Sequence, residues 1–463
     1  NMTLIKSISG IRGTIGGVPE VNLTPLDIVR FTSAYGKWIK ENNTGDIRIY
    51  TGRDSRISGS MVHSLVNNTL VGIGINVVDL GVSPTPTLGI AVNSEQASGG
   101  IMLSASHNKK KWNALKLFNS NGEFINAEDG LKILKYADNL NFNYANIDEL
   151  GTIITHDDYI DNHINKILKL ESVDEIGIQN SKFKIVVDGI NSVGGVAIPK
   201  LLDALNVQVI KINCDPNGDF AHDPEPIAEN LGELCDAVIV NNADLGIAVD
   251  PDVDRLVFVD EKGRLFSEEY TLVACADYIL SQKKGRTVSN LSSTRALSDV
   301  TKRYGQSYFT SAVGELNVVR EMKKVNAVIG GEGNGGVIYP KLHYGRDAMV
   351  GIALFLSLVT SRQKTVSEIR SSYPSYFMSK NKISANQNIN LNEILNKLAK
   401  EYSNEKTSVI DGLKIDFPEM WVHLRKSNTE PVIRIYTEAT TKSKAEILSN
   451  KFISKINLLL EKT

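Results

Sequence analysis

Short apolar runs alternate with longer amphipathic stretches along most of this chain. Ile47-Arg48-Ile49-Tyr50 and Ile75-Asn76-Val77-Val78 read as strands, and residues 60–72 between them read as a helix. Lys184-Ile185-Val186-Val187-Asp188 opens a second unit of the same kind, with a helix expected at 196–205 and a strand at 208–212. A third begins near Arg255, contains a helix at 268–282 and extends to about Ile369. Alternation of this kind implies largely parallel sheets covered by helices, an α/β class, although no repeat is visible residue by residue. The polar Ser371-Ser372-Tyr373-Pro374-Ser375 leads into a smaller α+β segment and is expected to act as a hinge about which that segment swings. Four domains follow, at 1–150, 151–254, 255–370 and 371–463. The apolar run 349–360 is too short to cross a bilayer and reads as a buried helix.

Four polar turns interrupt this pattern, and each carries candidate chemistry. In Ser104-Ala105-Ser106-His107-Asn108 a serine precedes Lys109, Lys110, Lys111 and Lys116, so a hydroxyl sits in a basic loop able to hold a phosphoryl group. Asp250-Pro251-Asp252-Val253-Asp254-Arg255 lies between two strand-like runs and places three carboxylates at alternate positions. That oxygen-only set suits Mg²⁺ better than zinc. An EF-hand fails here because Arg255 stands where the loop needs Gly and because strands, not helices, flank it. A haloacid-dehalogenase-type Asp-x-Asp start wants Thr or Val where Asp254 stands. Gly330-Gly331-Glu332-Gly333-Asn334-Gly335-Gly336 brings backbone close to a ligand and offers Glu332 and Asn334 to sugar hydroxyls, without matching a P-loop. Arg425-Lys426-Ser427-Asn428-Thr429-Glu430-Pro431, followed by Arg434 on a strand, has the makings of a phosphate cradle.

In this order the four loops resemble those of the alpha-D-phosphohexomutases, and the resemblance covers nearly the whole chain. Ser9-Gly10-Ile11-Arg12-Gly13 and Gly52-Arg53-Asp54-Ser55-Arg56 are similar to that family's two N-terminal motifs. The resemblance implies a heart-shaped molecule of three similar mixed α/β domains plus a smaller C-terminal α+β domain, with one loop from each meeting in a central cleft. It implies interconversion of hexose 6-phosphate and hexose 1-phosphate, with hexose 1,6-bisphosphate as activator and intermediate. Ser106 then matches the phosphoserine, and Asp250, Asp252 and Asp254 match the ligands of one Mg²⁺, completed by a phosphoserine oxygen. Arg12, His107, Lys116 and Arg255 match catalytic residues. Lys116 is expected to move the sugar hydroxyl's proton, its pKa lowered by burial and cationic neighbours, while Arg12 stabilises charge. Glu332 matches the carboxylate that grips the sugar, with Asn334 beside it, and Arg425, Ser427, Asn428, Thr429 and Arg434 match the site for the phosphate not being transferred.

Several positions depart from the common pattern. Lys109 replaces a frequent Pro. Pro251 and Val253 replace glycines, and both are expected to keep negative φ. Asn428 replaces a frequent Gly, Asn334 a frequent Ser, and Gly336 a His. Two further readings stay open: a sugar-phosphate sensor that has lost turnover, to which Lys109 and Gly336 point, and net hydrolysis of phospho-Ser106.

With 463 residues the chain is long enough for several cores, and its net charge of −2 provides no global field for nucleic acid. Cys214, Cys235 and Cys275 are odd in number and lack metal-type spacing, as in a reducing compartment. No secretory signal opens the sequence, so a cytoplasmic enzyme is expected. Its expected partners are small sugar phosphates, not nucleic acid or membrane, and it is expected to be a monomer or homodimer. The strings 332–336 and 112–116 resemble the archaeal-like branch of the family. That leans the substrate toward glucosamine phosphate, with the bifunctional phosphomannomutase/phosphoglucomutase as the alternative.

Overall fold

The computed structural model describes residues 2–7, 10–384, 391–427 and 432–460. Within them the strands form four sheets. The first has seven strands, in the order Ile5–Ser7, Gly10–Thr14, Trp112–Phe118, Gly99–Leu103, Arg48–Arg53, Asn76–Val82, Ile153–Thr155. The second runs Leu256–Asp260, Leu245–Val249, Lys184–Asp188, Gln208–Ile212. The third runs Tyr308–Ser311, Arg286–Asn290, Ala327–Glu332, Gly336–Ile338. The last is a five-stranded antiparallel sheet, Phe377–Ser384, Val432–Ala439, Met420–Lys426, Leu413–Asp416, Lys406–Ser408.

The repetition absent from the sequence is present in the topology. Numbering four core strands in chain order within each of the first three units, every sheet has the spatial order four, three, one, two. The first three are parallel and the fourth returns antiparallel beside the third. In each unit the turn between third and fourth strand is one of the polar loops that carry candidate chemistry: Ser106 in the first, the aspartates in the second, residues 333–335 in the third. The strands that flank the fourth polar loop, Met420–Lys426 and Val432–Ala439, pair antiparallel in the last sheet. One piece of topology, used three times, delivers three of the four loops.

Hydrogen bonding runs past two of the expected dividing lines. Ile153–Thr155 adds to the first sheet, and Leu256–Asp260 pairs antiparallel with Leu245–Val249, so the line at 254/255 cuts a hairpin. The largest apolar cluster runs from Ile160 to Tyr373 without a break between the second and third units. At its centre is the helix Ala348–Arg362, apolar on all sides, with Phe355 stacked on Phe258 at 3.8 Å. As expected, the apolar run 349–360 is a buried helix, and among the described residues no helix is long and apolar enough to cross a membrane.

Asp347 caps that helix, its Oδ1 accepting from Met349 and Val350 N–H. Its Oδ2 lies 2.8 Å from His163 Nε2 and 3.0 Å from His343 Nε2, and His163 Nδ1 meets the Thr87 hydroxyl at 2.8 Å. This buried chain joins the first three units. The expected hinge is itself held: Tyr373 donates to Asp277, Tyr270 donates to the Pro374 carbonyl and Tyr376 donates to Asp299. These bonds tie both the segment 371–375 and Tyr376 just beyond it to the third unit.

Candidate active site

The loop around Ser106 is positioned from below by the Gly-Arg-Asp-Ser-Arg segment. Ser104 donates to Asp54 Oδ2 at 2.7 Å, and Arg56 donates through Nε to the same oxygen at 3.0 Å. The Arg56 guanidinium also holds the carbonyls of Ser106, Lys109 and Trp112. Ser106 N–H donates to Ser104 Oγ at 2.9 Å, and Ser106 adopts φ +50°, a left-handed conformation uncommon for a non-glycine residue. This frame aims Ser106 Oγ at Asp250 Oδ2, 2.8 Å away in the second unit.

All three aspartates are buried. Asp250 Oδ1 accepts the N–H groups of Asp254 and Arg255, which closes the turn. Asp252 Oδ2 accepts from Lys116 and Thr85, and Asp254 Oδ2 accepts from Arg346 at 2.7 Å. The remaining oxygens, Asp252 Oδ1 and Asp254 Oδ1, are buried without a hydrogen-bond partner. In these two carboxylates one oxygen is thus oriented by a cation while the other is left over, the pattern expected of ligands held by outer partners. One carboxylate oxygen from each aspartate lies within 4.8 Å of the others. An all-oxygen set with orphaned buried carboxylate oxygens fits a hard divalent cation. Burial and the neighbouring Asp254 and Asp252 push Asp250 well above the usual carboxylate range. Burial opposes ionisation of Asp254 too, yet Arg346, Lys116 and Arg255 hold it below.

Two expectations about this region are corrected. Val253 has φ +64° and not a negative value, although Pro251 conforms. Val253 N–H closes the turn on the Asp250 carbonyl at 3.1 Å, and the left-handed backbone that follows directs the Val253 carbonyl to Ala348 N–H at 3.1 Å and the N–H groups of Asp254 and Arg255 to Asp250 Oδ1. Its fully buried side chain packs in the large core, which holds a conformation that β-branched residues avoid. Lys116 contacts carboxylates, Asp252 and Asp254, with Arg346 as the opposing cation. Burial works against its charge, but Asp252 and Asp254 outweigh it and hold the ammonium above its usual pKa.

A cavity of about 480 Å³ opens over this floor, and seven residues singled out from the sequence line it: Arg12, Ser106, His107, Lys116, Arg255, Glu332 and Asn334. Arg12 projects from Gly10–Thr14, which lies against Trp112–Phe118 so closely that a Cβ on Gly10 would come within 2.1 Å of the Leu115 carbonyl oxygen. Arg12 donates to Asn108 at 2.9 Å. Arg255, burial and Arg12 together hold His107 well below its ordinary pKa, and its buried Nδ1 has no partner. Glu332 accepts from Asn290 at 2.8 Å, Gly314 N–H at 3.0 Å and Arg346 at 2.9 Å, while Asn334 Oδ1 accepts from Gly336 N–H. Of the lysines after Ser106, Lys109 and Lys110 reach outward to Asp223 and Asp219; Lys116 is the one at the site.

The C-terminal candidates lie elsewhere. Arg425, Ser427 and Arg434 do not line this cavity. Arg425 and Arg434 face each other in register on adjacent strands, with Lys382 next across the sheet, and Arg425 Nε lies 3.4 Å from Asp411. Like charges directly opposite destabilise a sheet unless an anion joins them. Ser427 Oγ is 3.5 Å from Arg434; Asn428 and Thr429 lie outside the described residues, as does Ser9.

Arg346, Glu315, Gly314 and Arg320 also line the cavity and were not singled out from the sequence. Glu315, pushed up to about 7 by burial against the opposing pull of Arg346, uses one oxygen for the Arg346 N–H. Its other oxygen has no hydrogen-bond partner among the described residues. The one sequence signal for Arg346 is indirect: Gly336 stands where a His is common, and a Cβ there would lie 2.4 Å from Arg346 Cδ. The arginine fills the room that a side chain at 336 would take.

Comparison with known proteins agrees with this geometry. The profiles of phosphoglucomutase/phosphomannomutase alpha/beta/alpha domains I, II and III match residues 4–144, 157–263 and 267–376, and that of the C-terminal domain matches 381–454. The chain is 34% identical over 439 residues to a "Phosphoglucomutase/phosphomannomutase" of Thermococcus kodakarensis, covering 94% of this chain and 95% of that one. It is 31% identical to a "Probable phosphoglucosamine mutase" of Methanopyrus kandleri, covering 98% of both. It is also 31% identical to a "Phosphoglucosamine/phosphogalactosamine mutase" of Sulfurisphaera tokodaii, covering 97% and 98%. A crystal structure described as a putative phosphomannomutase from Thermus thermophilus superposes with a TM-score of 0.82 at 25% identity, covering 99% of each chain. A family protein from Burkholderia thailandensis shares the fold with a TM-score of 0.85 at 24% identity, covering 98% and 97%. With all four domains matched in order, this chain belongs to the phosphoglucomutase/phosphomannomutase family, the alpha-D-phosphohexomutases.

Proposed function

We propose that this protein interconverts hexose 6-phosphates and hexose 1-phosphates through a phosphorylated Ser106, and that its preferred sugar carries a 2-amino group. The observation that carries the reading is the strained Ser106, its Oγ 2.8 Å from Asp250 in a turn whose other two aspartates each keep an orphaned oxygen. Phospho-Ser106 gives its phosphoryl group to the free hydroxyl of the bound monophosphate: the bond from phosphorus to the sugar oxygen forms as the bond to Oγ breaks. The hexose 1,6-bisphosphate then turns end for end and returns its other phosphoryl group to Oγ. Mg²⁺ held by Asp250, Asp252 and Asp254 supplies neutralisation of the charge on the group in transfer.

The chain's own residues do the rest. Arg12 and Arg255 flank Ser106 as fixed positive charges. Lys116 orients Asp252, and His107, whose buried Nδ1 has no partner, lines the same cavity. Glu332 and Asn334 take the secondary hydroxyls. The row Lys382, Arg434, Arg425 takes the distal phosphate.

Two observations favour an amino sugar over glucose or mannose. Several relatives at 31–32% identity over almost the whole chain are named phosphoglucosamine mutases, and the open oxygen of Glu315 gives the cavity an acceptor suited to an ammonium group. The two residues that pointed to a sensor are both compatible with turnover: Lys109 pairs with Asp223, and Gly336 makes room for Arg346. The test is ³¹P NMR with Mg²⁺, a trace of hexose 1,6-bisphosphate, and glucosamine, glucose or mannose 6-phosphate in separate samples, beside Ser106→Ala. A 1-phosphate signal that appears fastest with glucosamine 6-phosphate and is largely lost in the variant is expected. Faster conversion of glucose or mannose 6-phosphate overturns the substrate, release of free phosphate in excess of isomer overturns the reaction, and no conversion in any sample leaves the sensor.

A further inference from the structure

Arg346 is the one side chain among the described residues that hydrogen-bonds to both the metal-type loop and the sugar-type loop. One terminal nitrogen donates to Asp254 Oδ2 at 2.7 Å and the other to Glu332 Oε2 at 2.9 Å. Its side chain is 10% exposed, and Glu315 accepts its backbone N–H. The next residue, Asp347, is pinned to Val337 through its N–H at 2.8 Å and caps the long buried helix, so the backbone that launches the arginine has little freedom. The space for its stem exists because residue 336 is glycine.

We propose that Arg346 is a positioning residue that couples the two loops, so that a cation on the aspartates and a hexose phosphate on Glu332 each strengthen the binding of the other. The inference rests on the function proposed above. Guanidinium is a planar fork whose two terminal nitrogens cannot move independently. Holding Asp254 with one and Glu332 with the other fixes the spacing and tilt between the two carboxylates. A cation that takes Asp254 Oδ1 selects one orientation of that carboxylate, the fork transmits it to Glu332, and the sugar meets a carboxylate already set. Lysine, a single point charge on a flexible stem, can neutralise either carboxylate without relating one to the other.

Coupling of this kind is reciprocal and measurable without turnover. In dephosphorylated protein free of bisphosphate, Mg²⁺ affinity is measured calorimetrically with and without saturating glucosamine 6-phosphate, and sugar affinity with and without Mg²⁺. In the wild type each ligand is expected to tighten the other by the same factor, about fivefold or more. Arg346→Lys is expected to bind both ligands, more weakly, with that factor reduced to about one. Gly336→Ala keeps the charge but pushes against Arg346 Cδ, and is expected to reduce the factor partway. If Arg346→Lys, or Gly336→Ala where the lysine variant does not fold, keeps the wild-type factor, the arginine serves only as a counter-charge and the proposal is wrong. A wild type that binds both ligands with no mutual effect also overturns it while leaving the proposed function standing. A wild type that binds Mg²⁺ but no hexose phosphate overturns both.

Discussion

The hairpin that bears the three aspartates and the hairpin that bears Arg425 and Arg434 both bring like charges together, and they deal with them in opposite ways. Around Asp250, Asp252 and Asp254 the protein supplies the compensation itself: backbone N–H groups, Ser106, Thr85, Lys116 and Arg346 each take a carboxylate oxygen, and two oxygens remain over. Around Arg425 and Arg434, two guanidiniums face each other across a strand pair, with Asp411 on one side. The first arrangement is preorganised for a small ion that stays. The second leaves the charge of the arginine pair to an anion from outside, as the distal-phosphate site proposed above requires.

The largest test of this contrast is Asp252→Asn. Loss of one carboxylate from the preorganised set is expected to lower kcat by about 10³-fold, the scale for removing an electrostatic group from a reacting centre. The same variant is expected to lose the Mg²⁺-dependent rise in Tm; a calorimetric scan that still shows that rise would mean the ion binds elsewhere. Arg425→Gln comes next. It is expected to raise KM about 10–100-fold, the worth of one or two charged hydrogen bonds, with kcat less affected and Tm unchanged or higher because the facing charges are relieved. A fall in Tm would show that the arginine pair is a structural feature of the sheet.

Glu269 joins the last unit to the third, lying beneath Gly333 of the sugar loop and 3.8 Å from Lys380 on the last sheet. Burial, opposed by Lys380, pushes it from an ordinary 4.5 up to about 8, so the folded protein keeps a proton there that the unfolded chain releases. The folded state then binds more protons between those values, and stability falls as pH rises through that window. Tm measured from pH 5 to 8 is expected to decline in the wild type and to decline less in Glu269→Gln; equal slopes would place the titration elsewhere.

The smallest expected effect concerns the backbone on which the aspartates stand. At an unstrained buried site glycine is worse than alanine by roughly 0.5–1 kcal/mol. At Val253, with φ +64°, the left-handed backbone favours glycine, so denaturant unfolding of Val253→Gly and Val253→Ala is expected to give stabilities within about 0.5 kcal/mol of each other. A glycine variant much weaker than the alanine one would mean that the turn relaxes once the valine is gone.

Much of the architecture is legible along the chain because strand and helix periodicities are local. The strands at 184–188, 208–212 and 245–249 and the helix at 268–282 lie where the apolar pattern predicts them. The loop chemistry is legible for a similar reason, since carboxylates at alternate positions or a serine ahead of His-Asn are contiguous. What resists reading are relations between loops. The pattern around Lys116 shows lysines at 109–111 and nothing of Asp252, 136 residues away, so its electrostatic surroundings come out with the wrong sign. Val253 fails for a different reason: the tertiary bond from Ala348 N–H and the packing of its side chain in the large core override the local preference of a β-branched residue.

By itself, the sequence determined the α/β class, the order of the loops and the chemical types that each loop presents, because these depend on neighbours within one turn or strand. Only the tertiary structure decided that three of those loops are the same hairpin of a repeated sheet, and that Lys116 and Arg346 orient two of the aspartates. It alone decided that Arg346 occupies the room left by Gly336 and joins Asp254 to Glu332. Those facts depend on which residues share a few ångströms of buried space. That is set by the packing of whole units against one another and leaves no periodic trace in any single one of them.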